Sequence, residues 1–279
     1  MSTLKKLSEK EDKLKGLKNI LEDYDSAIVA LSGGVDSSFL LAACSEFMEK
    51  GKLLAATSRS DIHPDEEIET AGEIAKGLGV KWRKIGTNVL EQEKFTSNPE
   101  SRCYFCKLDL FRNLRKLAGK EGYQEILDGS TKDDEKNHRP GQKAAEELDV
   151  KSPLRQAGLG KEKIRDLAEK IGLPNWDRPS GACLATRFPY GEKIEPAELQ
   201  KLEDAEATLK DLGLEGFRLR VHDAGKLARL EIGKDQFGEV IQNGEKIVSL
   251  LEKADFTYVT LDLEGYRPAG SNLKEVNNE

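Results

Sequence analysis

Residues 32–38, with the sequence SGGVDSS, combine two glycines, three serine hydroxyls and one carboxylate. An apolar run precedes them at residues 27–31 and another follows at residues 39–44, so the stretch is predicted to join a buried strand to a helix. Glycines allow close approach of a ligand. The free N–H groups at a helix start carry about half a positive charge, which suits a phosphate group.

A Walker phosphate loop also joins a strand to a helix, but it requires a lysine after its last glycine. No lysine follows Gly34 directly. The segment instead resembles the pyrophosphate loop of the ATP pyrophosphatases, which split ATP between its α and β phosphates and pass AMP to an acceptor. The resemblance implies that the phosphates of ATP are held by Ser32, Gly33, Gly34, Asp36, Ser37 and Ser38.

Three cysteines lie where thiol chemistry is plausible. Cys103 and Cys106 are separated by two residues at a predicted helix start, a position that favours the thiolate form, and Cys183 lies in the segment PSGACLATRFPYG. Three thiolates can hold a [4Fe–4S] cluster and leave one iron without a protein ligand. A zinc site, which needs further ligands, a redox dithiol and separate roles for the cysteines are the alternatives. Cys44, in an apolar run, is predicted to be a buried residue without chemistry.

Strand-like and helix-like segments alternate through the first part of the chain. The strands are predicted at residues 27–31, 53–58, 81–86 and 125–129. The helices are predicted over the leucine repeat of residues 4–21, from residue 35, from Pro64, and over 108–122 and 154–173. This alternation predicts an α/β domain with a parallel sheet covered on both faces.

In a parallel sheet, ligands bind beyond the carboxyl ends of the strands. The glycine loop lies at that edge, and so do Ser58, Asp128 and Gly129, which are therefore predicted to contact ATP. The acidic segment DGSTKDD, followed by Arg139-Pro140-Gly141, could hold Mg²⁺ on the phosphates or cap the next helix.

The pattern changes after a proline-rich segment, and a small α+β domain is predicted to begin near residue 190. The predicted domains are 1–190 and 191–279, and the tail after Gly270 is expected to be loose. The elements of the second domain are a helix at 199–212, strands at 217–221 and 227–232, a helix at 235–251 and a strand at 256–263. Arg218 and Arg220 alternate on one strand and share a face, which could bind phosphate or face solvent.

The composition limits the partners. A formal net charge of −7, with 34% charged residues, argues against nucleic acid and favours a small substrate. No apolar run is long enough to cross a bilayer, and the first residues lack the apolar core of a signal peptide. A cytoplasmic protein is expected.

Four segments occur together and in order: SGGVDSS, RCYFCK, DGSTKDD with the following RPG, and PSGACLATRFPYG. In this combination the chain resembles the LarE family of ATP-dependent sulfur transferases. The resemblance implies an ATP pyrophosphatase domain followed by a smaller domain. It also implies adenylation of the carboxylates of pyridinium-3,5-biscarboxylic acid mononucleotide and their conversion to thiocarboxylates, in the synthesis of the nickel-pincer nucleotide cofactor.

The resemblance also implies roles for particular residues. In one type of LarE protein, a cysteine matching Cys183 gives up its own sulfur; in the other, three cysteines matching Cys103, Cys106 and Cys183 bind a [4Fe–4S] cluster. This chain has all three and is assigned to the cluster type, with ATP, Mg²⁺ and the cluster as cofactors. The candidates for binding the substrate are Arg187, Arg218, Arg220 and Glu206. A homo-oligomer, up to a hexamer, is also implied.

Three other functions remain open at this point. A tRNA thiolase could use the same loop and cysteines, but the acidic composition argues against it. An amide ligase such as NAD synthetase would use the loop and leave the cysteines idle. A nucleotide-sensing domain would bind ATP without releasing pyrophosphate.

Overall fold

The computed structural model describes residues 2–136, 140–178 and 181–267. The chain forms two compact units. The first comprises Met1–Phe95 and Ser101–Gly181, and the second comprises Thr96–Glu100 and Ala182–Glu279. The boundary expected near residue 190 therefore falls earlier in the structure. Residues 189–194 belong to the second unit because they bond to its 96–100 segment, for example through the Gly191 N–H and the Asn98 carbonyl (2.9 Å).

A four-stranded parallel sheet forms the centre of the first unit. Its strands are β1 (Ala27–Ala30), β2 (Leu53–Arg59), β3 (Lys81–Gly86) and β4 (Glu125–Leu127), in the order β3-β2-β1-β4. The central β1 is almost wholly buried, as a strand covered on both faces should be, whereas the edge strand β3 is largely exposed. All four predicted strands are present, and the predicted α/β class is confirmed.

Helices cover both faces of this sheet. In chain order, the helices up to residue 170 are α1 (Thr3–Ser8), α2 (Asp12–Glu22), α3 (Val35–Phe47), α4 (Asp65–Gly77), α5 (Glu93–Thr96), α6 (Arg102–Glu121), α7 (Pro140–Glu147), α8 (Pro153–Gln156) and α9 (Lys161–Lys170). Of these, α5 ends at Thr96, the first residue of the second unit. Two predictions need correction. The N-terminal leucine repeat forms two helices instead of one. The helix predicted over 154–173 is α8 and α9, separated at Gly158, whose φ of +67° is incompatible with a right-handed helix.

The second unit has a smaller sheet. Its elements are α10 (Pro196–Asp211), β5 (Arg218–His222), β6 (Leu227–Glu231), α11 (Phe237–Gln242), α12 (Gly244–Lys253) and β7 (Tyr258–Leu261). The order is β5-β6-β7, with β5 and β6 antiparallel and β6 and β7 parallel. The α+β character is as predicted. The helix predicted over 235–251 is wrong, because the chain leaves the helical conformation at Asn243 (ψ +10°), before Gly244.

None of the described helices is both long and apolar enough to cross a membrane. The predicted loose tail after Gly270 lies outside the described residues.

Candidate active site

The loop after β1 is a sharp turn shaped by its own serines. Gly33 has a φ of +83°, a left-handed conformation that glycine adopts without strain. The Ser37 Oγ lies 3.1 Å from the Ser32 Oγ, and the Ser38 Oγ donates to the Gly34 carbonyl at 2.8 Å. Among the described residues, no side chain caps α3 at Gly34, so the first N–H groups of the helix remain available to an anion.

Two glycines at this edge of the sheet have no room for a side chain. A Cβ atom on Gly33 would clash with the carbonyl oxygen of Glu67 in α4. A Cβ atom on Gly129, after β4, would lie 2.8 Å from the Ser37 nitrogen. The carboxyl end of β4 therefore lies directly against the start of α3, as the parallel topology predicted.

We expect replacement of Gly33 by alanine to distort the loop. A left-handed alanine costs about 1–2 kcal/mol, and the contact with backbone atoms of Glu67 adds a further penalty of about 1–3 kcal/mol. Thermal unfolding and ATP binding measure the two consequences. Gly51→Ala is the matched control, since Gly51 has a φ of +86° but a Cβ atom there would meet nothing within 4 Å. Equal destabilisation by the two substitutions would contradict a steric role for Gly33.

Asp36 is the acidic residue of the loop. Its Oδ1 atom is buried without a hydrogen-bond partner in the described part of the chain. Burial raises the pKa of this carboxyl to about 6, although the nearby Lys161 acts in the opposite direction. A desolvated carboxylate with an open oxygen beside a phosphate-type loop fits a divalent cation. Asp36 could therefore hold Mg²⁺.

The other acidic residues at this edge have internal partners. Asp128 accepts hydrogen bonds from the N–H and Oγ of Ser130 (3.1 and 2.7 Å) and from the Ser152 Oγ (2.7 Å). Asp133 accepts from the Lys161 N–H (2.6 Å) at the start of α9, so this acid acts as a helix cap, one of the two roles left open. The Ser58 hydroxyl lies 3.0 Å from that of Thr87. Contacts of Ser58, Asp128 and Gly129 with ATP stay predictions.

The cysteines are divided between the units. Cys103 and Cys106 lie in the first two turns of α6, three residues apart and so on one face, with Cys103 exposed and Cys106 partly buried. Cys183 belongs to the second unit and directly precedes a short 3₁₀ turn, Leu184–Arg187. Cys44 is fully buried, as predicted, and burial raises the pKa of its thiol.

Of the three cysteines proposed to ligate the cluster, only Cys103 and Cys106 lie in the same unit. Within each unit, and for the described residues alone, no three His, Cys, Asp or Glu side chains lie close enough to hold a metal ion. Cys103 and Cys106 are accessible and suited to ligate together, but their convergence with Cys183 stays a prediction. Pro179 and Ser180 of the Cys183 segment and Arg139 of the acidic segment lie outside the described residues.

Arg187 is fully engaged within the second unit. Its Nε and Nη2 atoms donate to both carboxylate oxygens of Glu206 (3.0 and 3.1 Å), and its Nη1 donates to the carbonyl oxygens of Ala182 (2.6 Å) and Cys183 (3.2 Å). Glu206 also accepts from the Leu219 N–H of β5 (3.1 Å). This arrangement fixes the backbone around Cys183. To bind a substrate through these same atoms, Arg187 and Glu206 would first have to break the hydrogen bonds between them.

The pair Arg187–Glu206 is buried, so its two members depend on each other. We expect Glu206→Ala to destabilise the protein by about 3–5 kcal/mol, because it leaves the guanidinium charge without its partner. Glu195→Ala is the control, since it removes a carboxylate from an exposed pair with Lys193 and should cost under about 1 kcal/mol. Denaturant unfolding monitors both variants. Equal losses for the two would show that the buried pair contributes no more than a surface pair.

Arg218 and Arg220 lie on a buried face of β5, only 4% and 7% exposed, so the alternative of a solvent-facing strand is wrong. The antiparallel register places Glu231 opposite Arg218 and Arg229 opposite Arg220. The Arg220 Nε lies 3.1 Å from the Glu231 Oε2, while its Nη2 is buried without a hydrogen-bond partner among the described residues. Burial lowers the pKa of both Arg218 and Arg220. A desolvated cation with an unused donor favours an anionic ligand.

Three residues that contact the buried arginines or the glycine loop were not identified from the sequence. Glu231 is fully buried and pairs with Arg220 and Arg229. Arg267 lies within 3.9 Å of Glu231, and its carbonyl accepts from Arg218 (3.2 Å). Asn175 contacts the glycine loop. The alternation of Arg229 and Glu231 along β6 was a usable signal, but Asn175 lacks any local pattern.

Comparison with known proteins agrees with this geometry. Residues 10–100, which include the loop, match the family described as NAD synthase. The fold and the loop thus define a PP-loop protein of the ATP pyrophosphatase class.

Relatives that match over nine tenths or more of their length identify the family within this class. The chain is 31% identical, over 90% of its own length and 91% of the other, to the pyridinium-3,5-bisthiocarboxylic acid mononucleotide synthase of Lactiplantibacillus plantarum. It therefore belongs to the LarE family, represented by that synthase. It is also 37% identical to an uncharacterised protein of a Synechocystis species, over 94% of this chain and 97% of the other. An uncharacterised protein of Methanocaldococcus jannaschii is 31% identical over 91% and 97%.

Proposed function

We propose that this protein is an ATP-dependent, AMP- and pyrophosphate-forming sulfur transferase. Its substrate would be pyridinium-3,5-biscarboxylic acid mononucleotide, whose carboxylates become thiocarboxylates in the synthesis of the nickel-pincer nucleotide cofactor. The observation that carries the proposal is 31% identity, over 90% of the chain, to a pyridinium-3,5-bisthiocarboxylic acid mononucleotide synthase, in a chain that has both the glycine loop and Cys183.

Activation of the carboxylate is the first proposed step. A substrate carboxylate oxygen attacks the α-phosphorus of ATP, the bond to the bridging oxygen of the β-phosphate breaks, and pyrophosphate leaves. The uncapped N–H groups at the start of α3 would stabilise the charge that develops on the phosphates. Asp36 would hold Mg²⁺, which supplies further neutralisation of phosphate charge when bound.

Sulfur transfer is the second step, and two sources of sulfur are proposed. In the sacrificial type, the Cys183 thiolate attacks the acyl-adenylate and displaces AMP. Loss of the Cys183 α-proton then breaks the Cβ–S bond, which leaves dehydroalanine on the protein and a thiocarboxylate on the substrate. In the cluster type, which is the one we propose for this protein, Cys103, Cys106 and Cys183 would hold a [4Fe–4S] cluster. When bound, the cluster supplies an exchangeable sulfide.

The second unit is proposed to bind the substrate phosphate. Arg218 and Arg220 are buried together, and the unused Nη2 of Arg220 can donate to a phosphate oxygen. Arg187 and Glu206 would serve the same substrate by holding the Cys183 backbone in place. We further propose that the substrate is a small nucleotide and that the protein acts in the cytoplasm. We propose that it does so as a homo-oligomer, up to a hexamer.

Amide ligation is the second candidate, because residues 10–100 match the family described as NAD synthase. A ligase would use the same loop for adenylation and would pass the acyl group to nitrogen. It would not require Cys103 or Cys183. Full activity of a Cys103→Ala, Cys183→Ala double variant would favour this candidate.

Substrate-dependent release of pyrophosphate tests the proposal. The protein is incubated under anaerobic conditions with ATP, Mg²⁺, a sulfide source and the biscarboxylic acid mononucleotide. We expect pyrophosphate and AMP in equal amounts, with one of each for every sulfur transferred. Pyrophosphate release without the biscarboxylic acid mononucleotide, or release that instead requires tRNA, would contradict the proposed substrate.

A further inference from the structure

Asn175 connects two distant parts of the first unit. It follows α9 and Pro174 and is only 1% exposed. Its Nδ2 atom donates to the Gly33 carbonyl oxygen at 2.7 Å and to the Ser38 Oγ at 3.1 Å. A single buried amide group therefore contacts both the glycine turn and the first turns of α3.

The bond to Gly33 controls the direction of a peptide plane. In a trans peptide, the carbonyl of one residue and the N–H of the next point in opposite directions. No described peptide bond is cis. While the Gly33 carbonyl points toward buried Asn175, the Gly34 N–H must point away from it, on the side where Gly34 is exposed. On that side it donates to the Ser32 Oγ at 3.4 Å, a long hydrogen bond. That side is where a ligand can reach the loop.

The backbone that carries Asn175 is itself fixed. The Arg165 Nη2 of α9 donates to the Arg178 carbonyl at 2.8 Å. The Arg178 side chain donates to the Thr70 Oγ1 (2.8 Å) and to the Glu66 Oε1 (3.0 Å), both on α4. The segment just after Asn175 is therefore bonded to two helices, so its amide group is oriented before any ligand binds.

We propose that Asn175 is a positioning residue that orients the Gly33–Gly34 peptide so that the Gly34 N–H can donate to the outer phosphates of ATP, in place of the Ser32 Oγ. This inference rests on the proposed use of ATP by the loop, and it does not depend on the later transfer of sulfur. It assigns a role in nucleotide binding to a residue outside the glycine loop.

Two variants of Asn175 test the proposal. Asn175→Ala removes the donor, and Asn175→Asp keeps the shape but places an oxygen against the Gly33 carbonyl. The dissociation constants of ATP and of AMP, each with Mg²⁺, are measured by isothermal titration calorimetry. For both variants we expect the dissociation constant of ATP to rise about 10- to 100-fold, the usual effect when a buried acceptor loses its donor. The constant of AMP, which lacks the outer phosphates, should change by no more than about twofold.

Ser26→Ala is the matched control. Ser26 is also buried in the first unit, and its Oγ accepts a hydrogen bond from the Gln124 N–H (3.1 Å), but it lies before β1, at the opposite end from the loop. Its loss should leave the dissociation constant of ATP unchanged. An unchanged ATP constant in both Asn175 variants, or an equal loss of ATP and AMP binding, would overturn the proposal. If the alanine variant fails to fold, the isosteric aspartate variant decides. A wild-type protein that binds ATP but transfers no sulfur would overturn the proposed function alone.

Discussion

Replacement of Cys183 by alanine should reduce thiocarboxylate formation by more than about a thousandfold, as the loss of a covalent participant does in other enzymes. The effect is expected whether Cys183 gives up its own sulfur or ligates a cluster, because both routes use this thiol. Pyrophosphate release in the first turnover should persist, since adenylation uses the loop of the first unit. Mass spectrometry of the nucleotide and a pyrophosphate assay measure the two steps separately.

Cys44→Ala is the control for this substitution. Cys44 is fully buried and its thiol has a raised pKa, so its removal should leave sulfur transfer unchanged. Cys103→Ala distinguishes the two sulfur sources, because only the cluster route needs that residue. Sulfur transfer that survives in Cys183→Ala would contradict both routes.

Asp36→Asn should have the second large effect and should act in opposite directions on activity and stability. Without the carboxylate, Mg²⁺ loses its proposed protein ligand, and turnover should fall by about a hundredfold or more. Stability should rise at neutral pH. The pKa of Asp36 in the folded protein, about 6, lies above the ordinary value of 3.8, so the folded chain holds the ionised form less well than the unfolded chain does.

The raised pKa of Asp36 determines how the stability gain of Asp36→Asn depends on pH. Between about pH 4 and pH 6 the folded state binds more protons at Asp36, so wild-type stability from this group falls as the pH rises through that range. The asparagine variant lacks this loss, and its advantage in melting temperature should be larger at pH 7 than at pH 4. Asp12→Asn, in the first turn of α2, is a control that should alter neither turnover nor this pH dependence. A lower melting temperature for Asp36→Asn at pH 7 would contradict the raised pKa of this carboxyl.

The parts of the site that sequence could predict are those with a local pattern. The strand, glycine turn and helix at residues 27–47 are contiguous, so apolar runs and two glycines were enough to place the loop. The parallel arrangement then followed from alternation of strands and helices, and it correctly put Gly129 at the same edge. The helix breaks at Gly158 and Asn243 were missed, since apolar spacing continues across both positions.

The parts that could not be predicted depend on contacts between distant residues. Burial of Arg218 and Arg220 follows from the register with β6 and from Glu231, which no property of β5 reveals. Asn175 bonds to Gly33 across 142 positions in the chain. The engagement of Arg187 by Glu206 likewise requires the fold, because an isolated arginine in a proline-rich segment resembles a free ligand for phosphate.

The most direct test is the mass of the nucleotide product after incubation of the wild-type protein with pyridinium-3,5-biscarboxylic acid mononucleotide, Mg²⁺ and a sulfide source, with and without ATP. We predict that, only with ATP, sulfur replaces one oxygen in each carboxylate of the nucleotide. An unchanged nucleotide, or one in which nitrogen has replaced oxygen, would contradict the proposed sulfur transfer.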